Sequence, residues 1–134
     1  MTIGVCLPGR GAKGAFQAGV LESLYNRGLK RYDSYACTSI GAINGYYLYT
    51  GNVDKMKKMW ISGENNAGKR FNSVDNIIDN SRDIKKLYEL KDYKIRENSS
   101  FYINYLQVRN KSGKEIIVDI SKLNHKDRVN YIKY

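Results

Sequence analysis

The sequence has little of what most small specialised sites are built from. His125 is its single histidine, so a histidine-rich metal centre is excluded. Cys6 and Cys37 are its only cysteines, too few for the disulfide framework of a small secreted domain. A zinc site made from those three residues would need ligands scattered over most of the chain. No metal and no cofactor is therefore expected, and both cysteines are expected as reduced thiols in buried strands. Acidic residues are also in the minority, 13 against 23 Lys and Arg, which leaves a net charge of +10. That excess favours anionic partners: nucleic acid, acidic lipid surfaces or phosphorylated ligands. The positive residues are dispersed, in clusters no longer than Lys55, Lys57 and Lys58, with no arginine-rich arm. Nucleic acid is not expected.

Long hydrophobic runs are missing as well. Met1 to Leu7 is too short, and lacks the basic start, for a signal peptide. Ser34 to Val53 carries no charge for 20 residues, but Gly41, Gly45, Gly51, Asn44 and Asn52 interrupt it. Such a stretch reads as a buried strand and helix rather than a membrane span. The expected location is cytoplasmic, peripheral at a membrane. A length of 134 residues implies one domain, and 12% aromatic residues exclude a disordered tail.

What is present follows an α/β order. Residues 2–7 form a short apolar run, as in a strand of a parallel sheet covered on both faces. A glycine-rich break follows, then a helix with Phe16, Val20, Leu21 and Leu24 at helical spacing and Gly28 as its cap. Residues 35–38 read as a second buried strand, with a small-residue-rich helix after it closed by Gly51. A polar helix is expected over 54–61, irregular chain over 62–81, and a helix carrying Ile84, Leu87, Tyr88 and Leu90. Residues 101–109 and 114–120 flank a turn at Asn110 to Gly113 and predict a β-hairpin. A last helix starts near His125.

Gly9-Arg10-Gly11-Ala12-Lys13-Gly14 fits Gly-x-Gly-x-x-Gly between a strand and a helix. One reading is a dinucleotide or phosphate site, with Asp33 near the place of the ribose-binding acid. Against it, the strand that should end at that acid is instead short and charged, Leu29 to Tyr32. The other reading is an oxyanion hole made of backbone N–H groups. The loop alone leaves both open.

The second motif is Cys37-Thr38-Ser39-Ile40-Gly41, a strand-to-helix serine turn of the nucleophile-elbow kind in which Cys37 replaces the usual first glycine. Its bland alternative is a helix N-cap serine. Together, LPGRGAKGAFQAGVLESL and ACTSIGAING resemble the start of patatin-like phospholipases, densely over residues 3–50 and more loosely through the hairpin at 101–119. The resemblance implies a three-layer α/β sandwich with a mainly parallel central sheet. It also implies lipid acyl ester hydrolysis by a Ser-Asp dyad through an acyl-serine intermediate. Ser39 would be the nucleophile. Gly9, Arg10, Gly11, Lys13 and Gly14 would form the oxyanion loop, with Ile40 N–H as an elbow donor. The family's middle glycine is Arg10 here. Implied partners are a lipid ester substrate and an anionic membrane surface.

The family's base is the aspartate of a late Asp-Gly-Gly or Asp-Gly-Ala. None of the eight aspartates here precedes a glycine. Residues 1–134 are therefore expected to be the N-terminal portion of one patatin-like domain, without the part that carries the aspartate. Such a portion would associate with its missing part or with itself, and would be inactive alone. His125, expected at the surface, and Asp119, expected on a strand, are poor substitutes for the base.

Overall fold

The computed structural model describes residues 2–9, 11–62, 71–72, 77–78, 81–93 and 98–133, with backbone alone at 71–72, 77–78 and 81. The chain runs β1 (Gly4–Leu7), a 3-10 turn (Gly11–Lys13), α1 (Gly14–Asn26), β2 (Ser34–Cys37), α2 (Ile40–Tyr49) and α3 (Val53–Ile61). It continues through β3 (Phe71–Asn72), β4 (Ile77–Ile78), α4 (Ser81–Tyr88), β5 (Ser100–Arg109), β6 (Ser112–Asp119) and α5 (His125–Lys133). The central sheet has the order β1-β2-β5-β6, with β1, β2 and β5 parallel and β6 antiparallel at the edge. This is the α/β fold with a mainly parallel sheet that the sequence predicted.

Helix α2 is the centre of the molecule. It is apolar on every side, and every residue from Ile40 to Leu48 is buried, as expected of a helix covered all round. It lies on β1 and β2, and α1, α3 and α4 pack around it, with α5 against α4. Small residues allow the close approach. A Cβ on Gly41 would sit 1.9 Å from the Leu7 carbonyl oxygen, and one on Gly45 would sit 2.8 Å from Cys37 Sγ. The seam is filled by aromatics: Tyr35 stacks on Phe101 at 5.3 Å, and Tyr46 meets the same ring edge-on at 6.2 Å.

The register separates the two faces of the sheet. Val5, Tyr35 and Phe101 are aligned, as are Leu7, Cys37 and Ile103, and these rows face the helices. The alternate row, Cys6, Ala36 and Tyr102, is exposed. Among the described residues helices cover one face of the sheet, and the other face of the strands, which read as buried on both sides, is bare. Cys6, expected to be buried, is exposed, and Cys37 alone is in the core; both are free thiols.

Three smaller differences have local causes. Phe16, Val20 and Leu24 point outward, and α1 buries Gly14, Ala18 and Leu21 instead, because it packs closely on α2 and α3. The hairpin turns at Asn110 and Lys111, with φ of 51° and 64°, so the loop is two residues long and Gly113 is already in β6. Within 62–81, expected as irregular, β3 and β4 pair antiparallel and α4 begins at Ser81; residues 63–70, 73–76 and 79–80 lie outside the described residues.

Candidate active site

The parallel strands end at Leu7 and Cys37, and there the two sequence motifs come together. Thr38 N–H donates to Leu7 O at 3.0 Å, extending the ladder one residue beyond β2. Gly41 N–H then donates to Thr38 O and Ala42 N–H to Ser39 O, both at 2.9 Å, so the helix is already under way. Only Ser39 is left to make the reversal. It does so at φ 54°, ψ −124°, a backbone conformation that L-residues rarely adopt. Holding a non-glycine residue there costs on the order of 1–3 kcal/mol. Ser39 occupies the N-cap position of α2 but makes no side-chain capping bond, so the bland N-cap reading does not account for it. Its side chain is exposed.

The glycine loop passes directly over this turn. A Cβ on Gly9 would lie 2.6 Å from Ser39 Cβ, 2.9 Å from Thr38 O and 3.4 Å from Ser39 Oγ, so only glycine allows the approach. Gly11 has φ 54° and opens the 3-10 turn that ends at Lys13, which is exposed. Gly14 is buried against Ile40 and Trp60, where a Cβ would lie 2.8 Å from Ile40 Cγ1. Ile40 buries its side chain, and its N–H is one of the unpaired donors that head a helix. Arg10 lies outside the described residues.

A polar cluster that the sequence reading missed holds the loop. Asn44, fully buried, donates from Nδ2 to Gly14 O at 3.0 Å and to Gln17 Oε1 at 2.9 Å, and accepts from Trp60 Nε1 at 2.8 Å. Gln17 in turn donates to Pro8 O at 3.2 Å. Both ends of the loop, Pro8 and Gly14, are thereby tied to one amide pair. The signal available in the sequence was a lone amide inside the otherwise apolar helix IGAINGYYLY.

Ser39 also borders a cavity of about 230 Å³ with an apolar part, Ala42, Ile43, Ile84, Ile103 and Ile132, and a polar part that includes Thr38, Asn104 and Lys133. Larger cavities, about 350 Å³ beside Tyr47 and Met59 and about 470 Å³ beside Tyr25 and Tyr93, do not include Ser39.

The titratable candidates elsewhere have structural duties. His125 corrects its expected surface role. Its ring stacks on Tyr46, Nε2 is 3.0 Å from the Tyr88 carbonyl, and Nδ1 is 2.6 Å from Tyr46 Oη. A carbonyl only accepts, so Nε2 carries the proton, and in the neutral ring Nδ1 accepts from Tyr46. Burial pushes the Tyr46 hydroxyl up to about 12, which keeps it a donor. Asp119 Oδ1 accepts from Phe101 N–H and Ser121 N–H, and Asp33 Oδ2 accepts from Ile3 N–H at 2.7 Å. Among the described residues, none of these groups is hydrogen-bonded to Ser39.

The strand-to-helix turn thus holds one strained, exposed serine beneath a glycine loop, the backbone geometry that a nucleophile elbow requires. The chain is more closely defined than that: the family model for patatin-like phospholipase matches residues 5–123, and the chain belongs to that family of lipid hydrolases. No curated protein and no solved structure matches it. No helix among the described residues is long and apolar enough to cross a membrane.

Proposed function

We propose that this chain carries the nucleophile and oxyanion loop of a serine lipid acyl hydrolase. The observation that supports it most is Ser39 itself: a non-glycine residue at φ 54°, uncapped and exposed, with Gly9 packed on it. In this reading Ser39 Oγ attacks the ester carbonyl carbon while its proton passes to a base. The negative oxygen is met by N–H groups of Arg10 and Gly11 and by Ile40 N–H. Collapse of the intermediate expels the alcohol, which takes up the proton, and leaves an acyl-serine that water hydrolyses. The cavity beside Ser39 would receive apolar acyl carbons. The base would be an aspartate of an Asp-Gly-Gly or Asp-Gly-Ala segment downstream of Tyr134, and the 134-residue chain alone would be close to inactive.

The competing use of the loop, a nucleotide or phosphate site, loses support from Asp33, whose carboxylate is bonded to Ile3 N–H within the fold. The test is turnover of a short-chain ester by the protein extended through the expected aspartate segment. Ser39→Ala should abolish it with the fold intact. Unchanged turnover, or protection from proteolysis by NAD with no turnover, would overturn the hydrolase reading.

A further inference from the structure

Helix α1 presents an apolar stripe to solvent. Phe16 is 80% exposed, Val20 43% and Leu24 36%, unusual for the outer side of a helix in a charged protein. At about 100° per residue, these three share roughly a quarter of the helix circumference with Lys13 and Arg27. Both cations are exposed, one at each end of the stripe, and the other exposed positions between them, Ala15, Gly19, Ser23 and Asn26, carry no charge. The helix's single acid, Glu22, is turned away and paired with Lys57 at 3.1 Å. Exposed bulky apolar side chains flanked by cations are what a helix presents to a membrane interface, the apolar groups toward the acyl chains and the cations toward anionic headgroups.

We propose that this stripe docks the molecule on an anionic lipid bilayer. Phe16, Val20 and Leu24 enter the boundary between headgroups and acyl chains, and Lys13 and Arg27 meet the lipid phosphates. Charge selects this occupant over a second copy of the chain. A self-pair through the stripe would bring the cations at its two ends, Lys13 and Arg27, close to those of the other copy, whereas an anionic surface complements them. The docked stripe begins within a turn of the glycine loop, whose Gly14 packs on Ile40 beside Ser39. The inference deepens the lipid ester reading and rests on it for its purpose, but binding can be measured without turnover.

The experiment is co-sedimentation of the Ser39→Ala chain with vesicles, either of phosphatidylcholine alone or of equal parts phosphatidylcholine and phosphatidylglycerol. Binding to the mixed vesicles is expected, weaker at high salt and much weaker to phosphatidylcholine alone. Phe16→Ser with Val20→Ser should weaken it at least tenfold, since both side chains present apolar surface to solvent, and an unchanged circular dichroism spectrum shows that the fold is kept. Arg27→Glu, a separate variant, should weaken it roughly tenfold or more. Equal sedimentation of both variants and their parent overturns the proposal. So does failure of the parent to bind, including a dimer that Phe16→Ser dissolves. Failure of the hydrolase reading would register in ester turnover and leave these binding values unchanged.

Discussion

At Ser39 the backbone strain and the exposed hydroxyl are two sides of one arrangement. The turn lifts the side chain clear of the α2 N-terminus and keeps it from capping the helix. Glycine reaches the same conformation without steric penalty, so Ser39→Gly should raise unfolding stability by about 1–2 kcal/mol while removing the proposed nucleophile. Chemical denaturation checks the first part and ester turnover of the extended protein the second. Gly41→Ala should do the reverse. Its Cβ would sit 1.9 Å from a backbone carbonyl that cannot swing aside, so a loss of more than about 4 kcal/mol, read as failure to fold, is expected. Both positions were legible in the sequence, because a strand, a small-residue turn and a small-residue helix can be read locally. The glycine at 9 was legible too, but its partner was not: nothing local says that its missing Cβ would meet Ser39.

Among the elements, α2 and α5 show where reading from sequence stops. IGAINGYYLY reads as a buried helix from composition alone. The role of Asn44 depends on Gly14, Gln17 and Trp60, which come from two other helices. Asn44→Ala should cost about 1–3 kcal/mol, because it removes two buried hydrogen bonds, from Trp60 N–H and to the Gly14 carbonyl, and thermal unfolding reads the loss. His125 was legible as the start of a helix but not as its anchor, since its partners Tyr46 and Tyr88 are remote in sequence. The outward stripe of α1 escaped for the converse reason: helical spacing marks an apolar face without saying which neighbours cover it.

The end of β6 carries a pH-dependent tie of the same remote kind. Partial burial opposes ionisation of Asp119, but hydrogen bonds from Ser121 and Phe101 outweigh it and hold its carboxyl below the usual carboxylate range. Its folded pKa therefore lies below its unfolded one, and the stabilisation is present at neutral pH and lost as the pH falls through the carboxylate range. Asp119→Asn should flatten the acid limb of the stability curve, measured by urea denaturation at a series of pH values. An unchanged acid limb would show that the two hydrogen bonds contribute nothing to folding.

For the molecule as a whole, the described residues fill one side of the sheet and leave the other open. Cys6 and Ala36 are exposed in the strand centres, and Leu106, Val108 and Ile117 are 64–65% exposed along the hairpin. Exposed apolar area on that scale promotes association. The 134-residue chain should therefore sediment as a concentration-dependent mixture, and adding a segment that covers the sheet should return it to a single species. That β1 and β2 belong to a parallel sheet was foreseeable from a strand, a helix and a second strand in turn. The place of β5 beside β2, and which face of the sheet lies open, were not, because strand sequences rich in small apolar residues name neither their neighbours nor their uncovered side.

The central claim is that Ser39 is the reactive group, and covalent labelling tests it most directly. The protein extended through the expected aspartate segment is treated with a fluorophosphonate, digested, and the modified peptide sequenced by mass spectrometry. The account predicts a single adduct on Ser39, absent from Ser39→Ala and strongly reduced in Gly9→Ala, whose new methyl would push the loop off the turn. An adduct on another residue, or full labelling of Ser39→Ala, would contradict it.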